Sequence, residues 1–250
     1  MSSTNDFSDA GLARRIADTA GRLLLGLQAS QLFEGKALGA AGDAVSHSFM
    51  MEALKTQRPQ DAVLSEEGAA DPARLKSERI WIVDPLDGTR EYSERRTDWA
   101  IHVALAVNGR PVIGAVTLPG LELTLSSDLP PALAPFRQSA PRILVSRTRP
   151  PKEAEVVAQA LGATLLPMGS AGAKSMAVLR GEAEAYIHSG GQYEWDSCAP
   201  VAVAAAAGLH VSRIDGSPCI YNRPDVSMPD LLVCRKELAD KILSAIAKAR

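Results

Sequence analysis

Apolar residues along the chain fall into two spacings. Leu12, Ile16, Leu23, Leu24 and Leu27 recur about every third or fourth position, which predicts an amphipathic helix from Ser8 to about Gln28 with a Ser or Asp cap. Val45, Phe49, Met50 and Leu54 predict a second helix from near Asp43 to about Thr56, where Asp43 reads by position alone as an N-cap. The run Ile80 to Val83 does not alternate and suits a strand covered on both faces. Trp99 to Val107 and Pro111 to Leu118 are strand-like and flank Asn108-Gly109, a hairpin signal; Leu121 to Leu125 adds a third strand. Between Ser126 and Pro141 the composition turns to Pro, Ala and Ser, which marks a connection between halves. Beyond it the pattern gives a strand at Ile143 to Val145, helices at Lys152 to Leu161 and Ala173 to Leu179, a strand at Ala183 to Ile187 and a last strand around Leu231 to Cys234. Strands alternating with helices define a layered α/β architecture. Its expected division is an N-terminal half over residues 1–135 and a C-terminal half over 136–250.

Composition narrows the class. The 250 residues are 46% hydrophobic but only 4% aromatic, an aliphatic globular protein. A net charge of −2 gives no hint of non-specific nucleic-acid binding through a basic surface and leaves room for a single small anionic ligand. Cys198, Cys219 and Cys234 have no CxxC spacing, and their odd number argues against a full disulfide framework, so a reducing cytoplasm is expected. Charges at Asp6, Asp9, Arg14, Arg15 and Asp18 interrupt any signal-peptide core, and no run approaches the roughly 20 apolar residues of a membrane span.

The chemistry is concentrated where elements end. Ile80 to Val83 runs into Asp84-Pro85-Leu86-Asp87-Gly88-Thr89, so two carboxylates stand at the mouth of a sheet. Held that close they repel unless a proton or a cation neutralises them, and oxygen ligands select Mg²⁺, Mn²⁺ or Ca²⁺ over soft metals. The Leu86 carbonyl is a further oxygen. Glu66-Glu67 follow a short apolar run at Leu64, and Asp196 opens an alanine-rich helical pattern. Cys198, just after Asp196, reads as helix packing rather than a nucleophile. Thr89 on its own reads as a turn hydroxyl, Gly169-Ser170 as a helix-preceding turn, and Arg147 and Lys174 as surface charges.

Taken together, Asp-Pro-Leu-Asp-Gly-Thr after an apolar strand and Trp195-Asp196 before a small-residue helix resemble the inositol monophosphatase superfamily. The likeness runs from the Asp43 region to the last strand. Thr89-Arg90-Glu91-Tyr92 resembles its 3'(2'),5'-bisphosphate nucleotidase branch. The resemblance implies an αβαβα sandwich and two or three Mg²⁺ ions, with Mn²⁺ able to substitute. It assigns Glu66, Asp84 and the Leu86 carbonyl to a first ion that activates water, Asp84, Asp87 and Asp196 to a second beside the leaving group, and Glu66 to a weaker third, with Glu67 supporting them. Asp43, Glu66 and Thr89 form the implied catalytic set, although Gly42 precedes Asp43 where the family commonly has Thr. Phosphate is expected against Leu86, Asp87, the Gly88 and Thr89 amides and Asp196. Ser146, Arg147, Gly169, Ser170 and Lys174 are expected to face the nucleoside and its second phosphate. At Ser189 the inositol phosphatases carry a sugar-binding acid. Among the histidines, only His188 is expected near a pocket.

The function expected from this is a lithium-sensitive cytoplasmic phosphatase of sulfur assimilation. Its partner is a small phosphorylated metabolite, adenosine 3',5'-bisphosphate or its sulfated precursor, and a homodimer is implied by the family's habit. Alternatives are a phosphatase of inositol, fructose or histidinol phosphates, or a non-catalytic binder of nucleotide or metal. A haloacid-dehalogenase mechanism fits poorly, because its partner acid belongs two residues after the nucleophile, where Leu86 stands.

Overall fold

The computed structural model describes residues 7–69, 71–136 and 140–249. Helix α1 spans Asp9–Ala29, and the Ser8 hydroxyl caps it by accepting from the Gly11 amide at 3.1 Å. Leu12, Ile16 and Leu24 are buried as the spacing predicts, whereas Leu23 points outward.

Helix α2 spans Gly35–Gln57, two turns longer at its start than the sequence indicates. Asp43 is therefore inside the helix and not its N-cap, which is Glu34. Gly39 and Gly42 weaken helix propensity by about 1 kcal/mol each relative to alanine. Packing overrides that here, because a Cβ on Gly42 would lie 2.8 Å from Tyr92 Cε1 and 3.0 Å from Leu86 Cδ2. The two glycines let α2 approach the strand-to-helix turn at residues 86–93 more closely than any other residue type allows.

The first sheet contains β1 (Ala62–Ser65), β2 (Arg79–Asp87), β3 (Ala100–Val107), β4 (Arg110–Leu118) and β5 (Leu123–Ser126), in that spatial order. β1 is parallel to β2 and the remaining pairs are antiparallel. Asn108 and Gly109 have φ of 50° and 73°, the double positive φ of a tight hairpin between β3 and β4. A short helix, α3 (Thr89–Ser93), follows β2 directly.

The second sheet is ordered β7-β6-β8-β10-β9, from β6 (Arg142–Ser146), β7 (Thr164–Met168), β8 (Ala185–Tyr193), β9 (His210–Ser212) and β10 (Ser227–Cys234). The helices α4 (Lys152–Leu161), α5 (Ala171–Leu179), α6 (Glu194–Ala206) and α7 (Lys236–Ala249) complete the chain. β7 and α7 are additions to the predicted elements. Pro167 is tolerated in β7 because that strand is an edge, and α7 buries Leu238, Ile242 and Ile246 at four-residue spacing. The connection predicted over Ser126 to Pro141 carries no helix or strand beyond β5 among its described residues.

Alternation along each strand sorts the core into layers. Trp81 and Val83 of β2 face α1 and α2, with Ile101 and Val103 of β3. Ile80 and Ile82 point the other way and share a core with Met176 of α5, Ala199 and Val203 of α6, and Leu144, Tyr186, Leu231 and Val233 of the second sheet. The far face of that sheet, Ile143, Val145, Ala185, Ile187 and Leu232, packs on Val157 of α4 and Ile242 of α7. The stack is helices, sheet, helices, sheet, helices: the αβαβα sandwich that the sequence implied.

Candidate active site

Residues three apart in a regular strand point to opposite faces, so Asp84 and Asp87 need a device to converge. β2 supplies it. Its register with β3 is Asp84↔His102 and then Asp87↔Ala100, so three steps on β2 match two on β3. The extra residue is a bulge, and it returns Asp87 to the face of Asp84. Within the bulge Asp84 Oδ1 accepts from the Leu86 amide at 3.0 Å, and Ser46 of α2 donates to the Pro85 carbonyl at 2.7 Å. Gly88 then turns the chain at φ 92°, a left-handed conformation that a side chain would strain, into α3.

Asp196 arrives from the helical layer between the two sheets. It occupies the first turn of α6, where its Oδ2 accepts from the Tyr193 amide at 2.7 Å. One carboxylate oxygen from each of Asp84, Asp87 and Asp196 lies within 4.8 Å of the other two. Glu66, just past β1, stands beside Asp84 at the rim of this group, close enough for each carboxyl to act on the other. Thr89 Oγ1 is 3.2 Å from the Leu86 carbonyl and 3.3 Å from Asp43 Oδ1.

The acids are not electrostatically equivalent. Burial, followed by the charges of Glu66, Asp87 and Asp196, lifts Asp84 well above the ordinary carboxylate range. Burial likewise pushes Glu66 and Asp196 up to about 7, with Asp87 adding to both, and Asp43 to about 6, with Glu67 adding to it. For Asp87 burial acts in the same sense but loses to the charge of His102 and to two hydrogen-bond donors. His102 at 3.2 Å, the Ser170 hydroxyl at 2.5 Å and the Gly172 amide at 2.7 Å hold it at about 2. Without a cation, then, burial and mutual repulsion favour the protonated forms of Asp84, Glu66 and Asp196, while Asp87 stays ionised. An all-oxygen donor set of this charge density fits a hard divalent ion and is unsuited to a soft one.

The remaining predicted residues line the loops around β6, β7 and α5. Ser170, at φ 45°, both caps α5 by accepting from the Ala173 amide at 2.9 Å and donates to Asp87. Gly169 donates its amide to Asp98 at 2.8 Å. Ser146 accepts from the Arg149 amide at 3.2 Å. Arg147 is half-buried and bridges Glu91 at 2.7 Å and Glu94 at 2.9 Å, which ties the end of β6 to α3. Lys174 is no surface charge. It is buried, its ammonium donates to the Ser170, Gly169 and Met168 carbonyls at 2.6, 3.0 and 3.4 Å, and burial pulls it down to about 8.

His188 is buried beside the Gly190 carbonyl at 2.8 Å, and burial lowers it to about 4. Cys198 is fully buried and its thiol is pushed well above the ordinary range by that burial, so it packs α6. His102, which the sequence offers only as a structural residue, contacts Asp87. The available signal was a lone imidazole in the otherwise apolar run of β3.

This fold and acidic cluster define a metal-dependent phosphatase class, and the chain belongs to the inositol monophosphatase family, whose model matches residues 34–250. Among particular proteins, it is 49% identical over 243 residues to the 3'-phosphoadenosine 5'-phosphate phosphatase of Mycobacterium bovis, covering 92% of this chain and 90% of that protein. The 3'(2'),5'-bisphosphate nucleotidase CysQ of Escherichia coli K12 is 32% identical over 195 residues, which cover 72% of this chain and 78% of that one. The crystal structure of CysQ from Bacteroides thetaiotaomicron superposes with a TM-score of 0.79 at 25% identity, over 91% of this chain and 97% of that one. Among the described residues no helix is long and apolar enough to cross a membrane.

Proposed function

We propose that this chain hydrolyses the 3'-phosphate of adenosine 3',5'-bisphosphate, with 3'-phosphoadenylyl sulfate as a second substrate, and that Mg²⁺ is its native cofactor with Mn²⁺ able to replace it. The observation that carries the reading is near full-length identity of 49% to a phosphatase of that substrate, in a chain that keeps Glu66, Asp84, Asp87, Thr89 and Asp196. A cytoplasmic, lithium-sensitive and dimeric enzyme of sulfur assimilation is part of the same proposal. So is the division into halves 1–135 and 136–250, with Asp196 completing the site.

Glu66, Asp84, the Leu86 carbonyl, Asp87 and Asp196 would hold the ions. Bound there, divalent ions make water more acidic and offset charge on the phosphoryl group and the leaving oxygen. The chain's own residues arrange the rest. Thr89 Oγ1 faces Asp43, which burial keeps near pKa 6, so a hydroxyl and an acid stand ready to orient a water and pass its proton on. The Gly88 and Thr89 amides open α3 toward phosphate oxygens. Ser146 and the 169–172 loop border the nucleoside side, Arg147 faces the second phosphate, and Lys174 adds its charge there while fixing the loop by its carbonyl contacts. The residue at the sugar-acid position is Ser189, whose hydroxyl donates to Glu153 at 3.3 Å.

Phosphate release from adenosine 3',5'-bisphosphate, inositol 1-phosphate and fructose 1,6-bisphosphate with Mg²⁺ tests the reading. The nucleotide should have the highest kcat/KM. A preference for inositol 1-phosphate would leave only the metal-dependent phosphatase core of the proposal standing.

A further inference from the structure

His102 belongs to neither the acidic cluster nor the substrate-facing loops, yet it is fully buried and touches the site from two directions. On β3 it stands opposite Asp84 in the ladder. Its Nδ1 lies 3.0 Å from the Trp195 carbonyl, in the first turn of α6 and one residue from Asp196. Its Nε2 lies 3.2 Å from Asp87 Oδ2. One imidazole thus spans the gap between the strand end that carries Asp84 and Asp87 and the helix that carries Asp196.

Packing alone does not ask for this residue. The neighbours on β3, Ile101 and Val103, are aliphatic, and an imidazole sealed from water is costly unless its nitrogens find partners: Nδ1 has the Trp195 carbonyl, while Nε2 makes no aligned hydrogen bond and meets Asp87 as a charge contact. Room for the ring is made at Gly172, where a Cβ would overlap His102 Nε2. The Gly172 amide and the Ser170 hydroxyl converge on the same Asp87 Oδ2. That oxygen therefore accepts two hydrogen bonds and meets the His102 ring as a charge contact, while Oδ1 has no protein donor among the described residues. Residues that orient a metal ligand through its non-ligating atom commonly matter about 10- to 100-fold for metal affinity or activity.

We propose that His102 is a positioning residue that bridges Asp87 Oδ2 and the Trp195 carbonyl, sets the separation of Asp87 from Asp196, and reserves Asp87 Oδ1 for the cation. The inference rests on the reading of these acids as a divalent-cation site.

Two substitutions separate the contacts, since an Asn amide nitrogen reaches the δ position of the ring and a Gln amide nitrogen reaches the ε position. His102→Asn keeps the donor to Trp195 and loses the contact with Asp87, whereas His102→Gln keeps a polar N–H beside Asp87. Calorimetric titration of wild type, both variants and Asp87→Asn with MnCl₂ and MgCl₂, beside circular dichroism, reads the outcome. His102→Asn should weaken cation binding about ten-fold or more, with His102→Gln clearly less affected. Binding by His102→Asn within two-fold of wild type overturns the proposal, and so does an equal loss in both variants or the failure of both to fold, which mark His102 as packing. If wild type binds neither ion, or Asp87→Asn binds as wild type does, the cation reading itself fails and the proposal with it.

Discussion

Thr89 Oγ1 lies 3.3 Å from Asp43 Oδ1, a contact between the first residue of α3 and the interior of α2. It exists only because Gly39 and Gly42 let the two helices close on each other. Substituting Gly42 by Ala should therefore separate two effects. Helix propensity improves by about 1 kcal/mol, but the new methyl group displaces Tyr92 and Leu86 and moves Asp43 away from Thr89. Expected is a kcat reduced at least ten-fold with thermal stability unchanged or lower; a stabilised and fully active variant would refute the close-packing argument.

Asp84→Asn and Asp87→Asn should each give a folded protein with turnover reduced by on the order of 10² or more, because each change removes a charged oxygen donor while keeping its shape. Phosphate release and circular dichroism on the same samples measure both halves of this statement. Near-normal activity in Asp87→Asn would remove that residue from the site.

A cation should stabilise the protein increasingly as pH rises from 6.5 to 7.5. Glu66 and Asp196 titrate near 7 in the folded protein, and Asp84 is also raised well above the ordinary carboxylate range near 4. Groups whose folded pKa is raised contribute stability that is complete at low pH and is lost as pH passes through the folded value. Cation-free protein should then become less stable across this window, and Mg²⁺ should offset the loss. His188, lowered to about 4 by burial, acts in the opposite sense but only below about 6.5. Thermal melts with and without MgCl₂ at both pH values check the sign; a Tm shift that shrinks toward pH 7.5 contradicts it.

Lithium should inhibit the enzyme in the presence of Mg²⁺ and potassium should not, if Asp84, Asp87 and Asp196 form a small site that Li⁺ enters after turnover. Titrations of LiCl and KCl at matched ionic strength separate occupancy from screening. Matching responses to the two salts would count against such a site.

Much of the site was legible because its acids stand where apolar runs stop. Asp84, Asp87 and Asp196 could be placed at element ends from spacing alone, and their convergence is what the bulge in β2 delivers. The bulge itself was not legible, since it is a property of pairing with β3 rather than of β2. His102 was missed for the same reason: its partners, Asp87 and Trp195, reach it only across the sheet and from the next layer. Lys174 looked like an exposed charge because its partners are backbone carbonyls, which leave no trace in side-chain pattern. The start of α2 was set too late because Gly39 and Gly42 argue against a helix locally, and their packing against α3 is a tertiary fact. The layered fold survived these errors, as alternation along β2, β3 and β6 fixes which side chains share each layer.

Asp196 comes from a helix between the two sheets, while Asp84 and Asp87 come from the far end of the first sheet's second strand. No contiguous segment of the chain contains all three carboxylates near one another. In refolding, closing so long a loop is entropically demanding and comes after local structure. The acids also repel as they meet, so a divalent cation should favour the last docking step. Recovery of turnover after dilution from denaturant should lag behind recovery of far-ultraviolet ellipticity, and added Mg²⁺ should shorten the lag: catalysis here reports the arrival of the whole sandwich, not of either sheet.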